Sequence, residues 1–280
     1  MIKKGLKTPL RYPGGKSRAI SKMEQYFPDL RDYKELREPF VGGGSVALYL
    51  CQKYPHLNIW VNDLYEPLVN FWNNLQMHGE DLTHTLRDYK LTHDSPESAR
   101  ELFNNSKRVI NDNKIGSFER AAAFYIVNKC SFSGLTESSS FSKQASISNF
   151  SIRGIEKLPE YSKIISKWTI SNYSYDYLMD GDFGGKIAFM YLDPPYAIRD
   201  NLYGHKGAMH KEFDHDRFAE DCANNSMHSM VSYNADKLIK DRFKGWRTAE
   251  YDLTYTMRST GEYMRNQKER KELLLLNYEP

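Results

Sequence analysis

The feature that most restricts the fold is a glycine run set between two strand-like segments early in the chain. YKELREPF (33–40) predicts a buried strand, and it leads directly into Gly42, Gly43 and Gly44. SVALYLCQKY has helical periodicity after the glycines, and LNIWVND (57–63) predicts a second strand. A strand, a glycine turn, a helix and another strand are the opening unit of an open, parallel α/β sheet.

The alternation of strands and helices is then interrupted. Residues 77 to about 130 predict polar helices, and residues 131–154 are rich in serine. The serine-rich stretch predicts a long loop or an irregular hairpin. Phe132, Phe141 and Phe150 argue against a bare flexible linker, because such linkers seldom carry so many aromatic residues.

The α/β pattern resumes at WTISNYSYDYL (168–178). KIAFMYLD (186–193) is apolar without alternation, which is typical of a central strand covered on both faces. A helix is predicted at 214–225 and a short strand at 229–234. RTAEYDLTYTM and KELLLLNY predict an antiparallel pair at the edge of the sheet.

The chain is therefore predicted to be an α/β protein whose sheet is split by an insertion. We expect the sheet in residues 1–76 and 165–280, and an inserted, mainly helical domain in residues 77–164. A length of 280 residues suits one core with a modest insertion, and 40% hydrophobic residues are enough to fill it.

Composition excludes several classes of protein. No apolar run is long enough for a membrane span, and no apolar stretch follows the basic N-terminus as in a signal peptide. The three cysteines are far apart, which favours reduced thiols and a cytoplasmic location. The histidine spacing does not favour a metal site, so no metal is predicted. A net charge of +3 permits a polyanionic partner without requiring one.

The glycine turn and Asp63 together predict a site for a cofactor that carries a nucleoside. Glycines at a strand-to-helix turn let a ligand approach the backbone. Asp63 ends the second strand, where an acidic side chain accepts hydrogen bonds from ribose hydroxyls in Rossmann-like folds. The alternative for Asp63 is a helix cap. The glycine pattern does not match the dinucleotide fingerprint, whereas S-adenosylmethionine needs no pyrophosphate cradle.

The segment LDPPY ends the predicted central strand and carries the candidate catalytic residues Asp193, Pro194 and Tyr196. The Asp193 carboxylate and the Pro194 carbonyl can accept the two N–H bonds of a planar exocyclic amine. The nitrogen of this amine is then drawn toward tetrahedral geometry, and its lone pair can point at a methyl donor. Tyr196 can stack on the base. The alternative is a strand that is simply stopped by prolines, with a satisfied carboxylate.

Four segments, in this order, resemble the DNA adenine-N6 methyltransferases of the Dam family (D12 class): LRYPGGKSR (10–18), REPFVGGGSV (37–46), VND (61–63) and DPPY (193–196). The resemblance implies a Rossmann-like domain that binds S-adenosylmethionine, interrupted by a target-recognition domain. It also implies that the segment around Tyr12, where the family usually has tryptophan, packs against the cofactor. The positions that it assigns to the cofactor are Tyr12, Lys16, Phe40, Gly42, Gly44, Asp63, Tyr173, Ser174 and Asp193.

The resemblance weakens in the part that would read DNA. Family members that read GATC carry an arginine-rich hairpin after an aromatic-Asn-Gly-Leu element, whereas this chain has FSGL (132–135) and then serines. Recognition of GATC is therefore not predicted. Each basic residue here has solvated surface charge as its alternative role. The candidate DNA-binding residues are Ser140, Lys143, Gln144, Asn149, Arg153 and Lys206.

The expected function is site-specific methyl transfer from S-adenosylmethionine to N6 of an adenine flipped out of duplex DNA. Three alternatives stay open: methylation of cytosine N4, methylation of a protein glutamine amide, and a DNA-binding protein that keeps the fold without catalysis. We expect a monomer associated with the nucleoid through DNA. The resemblance also admits a cognate restriction endonuclease as a partner.

Overall fold

A computed structural model describes residues 5–12, 14–132, 134, 139–180, 187–196, 213–252 and 271–280. The strands are β1 (Glu35–Glu38), β2 (Asn58–Asn62), β3 (Thr169–Ser171), β4 (Ala188–Leu192), β5 (His228–Asn234), β6 (Arg247–Asp252) and β7 (Lys271–Leu276). The α-helices are α1 (Ile20–Met23), α2 (Ser45–Lys53), α3 (Glu66–Thr92), α4 (Pro96–Val109), α5 (Ser117–Cys130), α6 (Lys143–Ser148), α7 (Ile152–Ile155), α8 (Leu158–Ile165), α9 (His215–Asn224) and α10 (Lys237–Arg242). Single 3-10 turns occupy Lys16–Arg18, Glu24–Tyr26, Leu30–Asp32 and Tyr175–Met179.

The strands form one sheet in the order β3-β2-β1-β4-β5-β7-β6. The first five strands are parallel, and β7 runs antiparallel between β5 and β6. The predicted α/β class and the antiparallel pair at the sheet edge are both confirmed. The strand order reverses between β1 and β4, and open α/β sheets bind ligands outside the carboxyl ends of the strands at such a point.

Both faces of the sheet are covered, as predicted for the central strand. Along β4, Phe189 and Tyr191 belong to one buried cluster, whereas Met190 and Leu192 belong to a second. This alternation follows from the two-residue period of a strand. Helix α9 supplies Phe218 to the second cluster. The sheet is therefore a rigid middle layer whose carboxyl edge is left for a site.

The first cluster continues from the sheet into the residues predicted to be an insertion. Helix α3 begins beside the sheet and runs through residue 76 to Thr92, with non-helical backbone angles at His78. Phe103, Tyr125 and Phe150 extend the same apolar cluster. Residues 77–164 are mainly helical, as expected. Their division from the catalytic core stays a prediction, because the helix and the cluster both continue across the boundary.

The expectation of a loop or hairpin for residues 131–154 is wrong for its second half. An antiparallel bridge joins Ser131 to Phe141, and helices α6 and α7 follow. Ser142 and Ser151 are their N-caps, and their side chains accept hydrogen bonds from the amides of Ala145 and Gly154. Serine was therefore a signal for helix starts here, and composition alone did not distinguish that role from a linker.

The phenylalanines of this segment take different environments. Phe150 is buried, and Phe141 packs edge-on against Phe103 with 5.7 Å between ring centroids. Phe132 is 59% exposed. Two of the three thus tie the serine-rich segment to the helical core, which confirms that it is not a bare linker. Among the described residues, every helix is too short or too polar to span a membrane.

The glycine turn after β1 is shaped by two aromatic rings. Gly42 and Gly44 have positive φ angles of 47° and 66°. A Cβ atom at Gly42 would lie 2.9 Å from the Tyr12 ring, and one at Gly44 would lie 2.9 Å from the Trp72 ring. The turn thus needs glycine both for its left-handed backbone and for the close approach of these rings.

We expect Gly44→Ala to destabilise the fold more than Gly245→Ala. Both glycines have positive φ, but no atom of the described residues lies within 4 Å of a Cβ at Gly245. Gly245→Ala should therefore cost about 1–2 kcal/mol from backbone strain alone. Gly44→Ala should cost about 1–3 kcal/mol more from overpacking against Trp72. Urea unfolding measures both, and equal losses would show that the Trp72 contact contributes nothing.

Candidate active site

Three of the motifs from the sequence meet at one edge of the sheet. The glycine turn follows β1, Asp63 follows β2, and Asp193 follows β4. Because β1 lies between β2 and β4 and all three are parallel, their carboxyl ends are neighbours. The predicted position of Asp193 beside the glycine turn is therefore confirmed. This edge is the point where the strand order reverses.

A buried ion pair ties the N-terminal segment to the end of β4. The Lys16 ammonium donates to both carboxylate oxygens of Asp193, at 2.7 and 2.6 Å, and to the Gly14 carbonyl at 2.9 Å. Lys16 is 2% exposed. Burial raises the pKa of the Asp193 carboxyl, and the Lys16 charge partly opposes that rise. The pair thus holds the carboxylate in a fixed orientation within a poorly solvated pocket.

Tyr196 is held beside this pair. Its ring centroid lies 5.1 Å from the Lys16 nitrogen and 5.9 Å from the Tyr233 ring centroid. The Tyr196 hydroxyl donates to the Glu272 carboxylate at 2.5 Å. Glu272 was missed in the sequence, although a charged residue directly before the four leucines of KELLLL was a visible signal. Pro194, between the strand and Tyr196, is buried.

Asp63 uses both carboxylate oxygens to hold backbone. One oxygen accepts from the Gly42 amide at 2.9 Å, and the other accepts from the Tyr65 amide at 3.0 Å. Tyr65 is the N-cap of α3, so the alternative capping role is present in part. Burial raises the pKa of Asp63 from 3.8 to about 6. A carboxylate oxygen has a second lone pair, so contact with a ribose hydroxyl stays a prediction.

Asn62 is a second residue that the sequence analysis missed. Its amide nitrogen donates to the carbonyls of Pro39 and Tyr173, at 3.1 and 2.9 Å. Its oxygen accepts from the Tyr173 amide at 2.8 Å and from the Ser171 hydroxyl at 2.9 Å. One buried side chain thus fixes the exits of β1 and β3 relative to β2. The motif VND contained it, but only its aspartate was considered.

Aromatic side chains line the edge next to these contacts. Phe40 stacks on Tyr175, with 5.5 Å between ring centroids and 27° between ring planes. Tyr173 is 50% exposed and lies 4.4 Å from the Tyr177 ring centroid. Ser174 is exposed. Tyr173 and Ser174 therefore lie within reach of a ligand, whereas the ring that contacts Phe40 is that of Tyr175.

The side chains at this edge suit S-adenosylmethionine by their chemistry. Asp63 can accept from hydroxyl groups, and the aromatic rings can pack on an adenine. Lys16 lies at the same edge, with its ammonium held by Asp193 and Gly14. Tyr12 packs on Gly42 and Gly43, which brings the N-terminal segment over the glycine turn. Within the described ranges, no three potential metal-ligating side chains cluster to hold an ion.

The candidate DNA-binding residues lie apart from this edge in the serine-rich segment. Ser140, Lys143, Gln144 and Arg153 are exposed, and Asn149 is half-buried. Lys206 lies outside the described residues. Two lysines that were not predicted hold the segment's backbone: Lys107 donates to the Ser139 carbonyl at 2.8 Å, and Lys90 donates to the Ser146 carbonyl at 2.9 Å.

The elevated pKa of Asp63 predicts a pH-dependent contribution to stability. A buried acid whose pKa is raised on folding stabilises the fold below its unfolded pKa and loses that contribution as pH rises through its folded pKa. A rise from 3.8 to about 6 corresponds to about 3 kcal/mol. Asp63→Asn should therefore become more stable relative to wild type, by up to this amount, between about pH 4 and about pH 7.

Urea unfolding across this pH range measures the difference. Asn supplies only one acceptor oxygen for the two amides, so the variant starts with a constant penalty, and the informative quantity is the change with pH. Asp81→Asn, an exposed change on α3, should follow wild type at every pH. Parallel curves for wild type and Asp63→Asn would contradict the prediction.

Comparison with known proteins agrees with this geometry. Residues 12–257 match the family model "D12 class N6 adenine-specific DNA methyltransferase". The chain is 30% identical over 200 residues to "Type II methyltransferase M.MjaIII" of Methanocaldococcus jannaschii, covering 67% of this chain and 68% of that protein. It is 23% identical over 291 residues to "Type II methyltransferase M1.LlaDCHI" of Lactococcus lactis subsp. cremoris, covering 96% and 94%.

A third relative is the "DNA N-6-adenine-methyltransferase" of Escherichia phage P1, which is 30% identical over 204 residues, covering 69% of this chain and 24% of that protein. The family match spans the glycine turn, Asp63 and the segment that follows β4. The resemblance noted in the sequence is thereby confirmed, and the chain belongs to the D12 class of N6 adenine-specific DNA methyltransferases.

Proposed function

We propose that the protein transfers a methyl group from S-adenosylmethionine to N6 of an adenine that it flips out of duplex DNA. Its family membership gives adenine-N6 methylation of DNA. The proposal adds the methyl donor, the flipped base and the residues that act. The observation that carries it is the Asp193 carboxylate, fixed by Lys16 beside Tyr196 at the carboxyl edge of the sheet.

The cofactor residues in this proposal are Tyr12, Lys16, Phe40, Gly42, Gly44, Asp63, Tyr173, Ser174 and Asp193. S-adenosylmethionine, when bound, supplies a methyl group on a sulfonium sulfur. The Asn62 contacts and the glycine turn give these side chains a rigid frame. Such a frame lowers the entropy lost when the reacting groups are brought together.

The chemical step is assigned to Asp193 and Pro194. The Asp193 carboxylate and the Pro194 carbonyl each accept one N–H bond of the adenine N6 group, which turns the nitrogen lone pair toward the methyl group. A new N–C bond would form from that lone pair while the bond between the methyl carbon and the sulfonium sulfur breaks, its electron pair staying on sulfur as a neutral thioether; N6 must then lose one proton. The raised pKa of Asp193 makes its carboxylate a suitable first acceptor. Tyr196 stacks on the flipped base, which offsets the cost of extrusion.

DNA reading is assigned to the exposed side of α6. Lys143, Gln144 and Ile147 lie on this short helix, and Ile147 is 59% exposed. Lysine can contact phosphates, glutamine can pair with adenine in the major groove, and an apolar side chain can contact the thymine methyl group. An exposed isoleucine between polar residues is consistent with such a surface. Ser140, Asn149, Arg153 and Lys206 complete the proposed DNA-binding set.

The remaining parts of the proposal concern partners and location. Two relatives carry the name "Type II methyltransferase", which supports a cognate restriction endonuclease as a partner. We propose a monomer as the acting species, because one chain carries both the proposed pocket and the proposed DNA surface. Action on DNA supports a cytoplasmic, nucleoid-associated location.

The proposed function predicts N6-methyladenine at one short motif when the protein is expressed in a host without adenine methylation. Single-molecule sequencing of that host's genome detects the modified base and its motif. Asp193→Ala should lower turnover by a factor of about 100 to 1,000 or more, because the activating acceptor is lost. Its DNA affinity should stay near that of wild type, since phosphate contacts supply most of it.

Asp216→Ala is the matched control. Asp216 is an exposed residue of α9 and pairs with Arg242 of α10. It should methylate as wild type does. Methylcytosine in the genome would favour the cytosine alternative. An unmodified genome with folded protein would overturn the proposed reaction, and parallel loss of DNA binding and turnover in Asp193→Ala would overturn the assigned role.

The DNA surface predicts different effects for two neighbouring variants. Lys143→Ala should weaken binding to all sequences and reduce the salt dependence of log affinity by about one phosphate contact. Gln144→Ala should relax the methylated motif at one position, at a cost of about 1–3 kcal/mol in discrimination. Lys34→Ala is the control, because Lys34 is exposed and precedes β1, at the edge of the sheet opposite the carboxyl ends of the parallel strands. If Gln144→Ala methylates the same motif as wild type, the assignment of base recognition to α6 is wrong.

A further inference from the structure

We propose that Glu272 is a positioning residue that fixes the Tyr196 ring for stacking against the target base. The inference rests on the proposed function, which assigns Tyr196 to the base. Its basis is the contact between the buried Glu272 carboxylate and the Tyr196 hydroxyl, at 2.5 Å. Glu272 itself touches neither cofactor nor base in this proposal and acts through Tyr196.

The direction of β7 explains how a residue near the C-terminus reaches the site. β7 is antiparallel to β5, so its first residues, not its last, lie at the edge that carries the carboxyl ends of the parallel strands. Glu272 is opposite Asn234 of β5 and Tyr251 of β6 in the two ladders. Backbone pairing on both sides therefore fixes its Cα position, which a loop residue would lack.

Tyr196 reaches across one strand to make this contact. It follows β4, whereas Glu272 is on β7, and β5 lies between them. Tyr233 of β5 packs against the Tyr196 ring, at 5.9 Å between centroids and 35° between planes. Tyr233 and the Lys16 ammonium face the ring itself, whereas the hydroxyl bonds to Glu272 and also hydrogen-bonds to Asp193. Without the hydroxyl contact, the ring could rotate about its side-chain bonds over Tyr233.

The charge of Glu272 suits this role. A carboxylate that accepts a phenol proton donor makes a short, strong hydrogen bond, roughly twice as strong as a neutral one. Glu272 is 2% exposed, and burying a carboxylate is costly unless hydrogen bonds compensate. These two facts give the Tyr196 hydroxyl a strong acceptor and give the buried Glu272 carboxylate a hydrogen bond that offsets the cost of its burial.

The test is a double-mutant cycle of Glu272→Gln and Tyr196→Phe. Glutamine keeps the shape of the side chain, and phenylalanine keeps the ring while removing the hydroxyl. If Glu272 acts through this bond, each single variant should lower kcat by about 10- to 100-fold, and the double variant should be no worse than Tyr196→Phe. The KM for S-adenosylmethionine should stay within about twofold of wild type.

A spectroscopic readout separates ring positioning from general stability. The probe is a duplex with 2-aminopurine in place of the target adenine, in the motif found by genome sequencing. Weaker stacking on Tyr196 should make the bound 2-aminopurine brighter in both single variants than in wild type. Glu250→Gln, an exposed change on neighbouring β6, should change neither fluorescence nor kcat.

The outcomes are distinguishable from failure of the proposed function. If wild type does not methylate adenine, the proposed function fails. If wild type is active and Glu272→Gln matches it in kcat and fluorescence, the positioning role is wrong. A Glu272→Gln defect of the same size in the Tyr196→Phe background would also overturn it, since the effect would then not pass through the hydroxyl. Thermal melting of each variant confirms that the comparison is made between folded proteins.

Discussion

The buried ion pair between Lys16 and Asp193 is the contact on which the site depends. Neither charge is stable in this environment alone, because an unpaired charge taken out of water is costly by several kcal/mol. Lys16 can reach Asp193 only if the N-terminal segment crosses the end of the sheet. That crossing brings Tyr12 onto Gly42 and Gly43, where an added Cβ would lie 2.9 Å from the Tyr12 ring at Gly42 and 3.1 Å from the Tyr12 Cβ at Gly43. The pair therefore explains the glycine turn as well as the orientation of the carboxylate.

The edge of the sheet is held by side chains that bond to backbone. Asp63 joins the glycine turn to the start of α3, and Asn62 joins the exits of β1 and β3. Each of these polar groups is buried, so it must be satisfied, and it is satisfied by groups on different strands. The separate turns behave as one rigid unit for this reason. A preorganised edge of this kind is what transition-state stabilisation by fixed dipoles requires.

Local patterns in the sequence predicted the strands, the turn and the end of β4, because each depends on neighbours in the chain. KIAFMYLD is apolar throughout since β4 is covered on both faces, and this property is visible in eight letters. Glu272 could not be assigned in this way, because its place at the site depends on the insertion of β7 between β5 and β6. The serines at 142 and 151 were ambiguous for another reason, since a capping serine and a linker serine have the same local composition.

The surroundings of Asp193 and the serine-rich segment tolerate sequence change differently. Around Asp193 the contacts are between buried side chains, so replacing one leaves its partner unsatisfied. Lys90 of α3 and Lys107 of α4 donate to backbone carbonyls of the serine-rich segment, and a backbone carbonyl is present whatever side chain its residue carries. The exposed side chains of α6 can therefore change without loosening their support. This difference is consistent with a chain that keeps the glycine turn and DPPY of its family but has FSGL and serines where GATC readers have an arginine-rich hairpin: the contacts around Asp193 are fixed by mutual burial, whereas the surface proposed to read DNA is free to diverge.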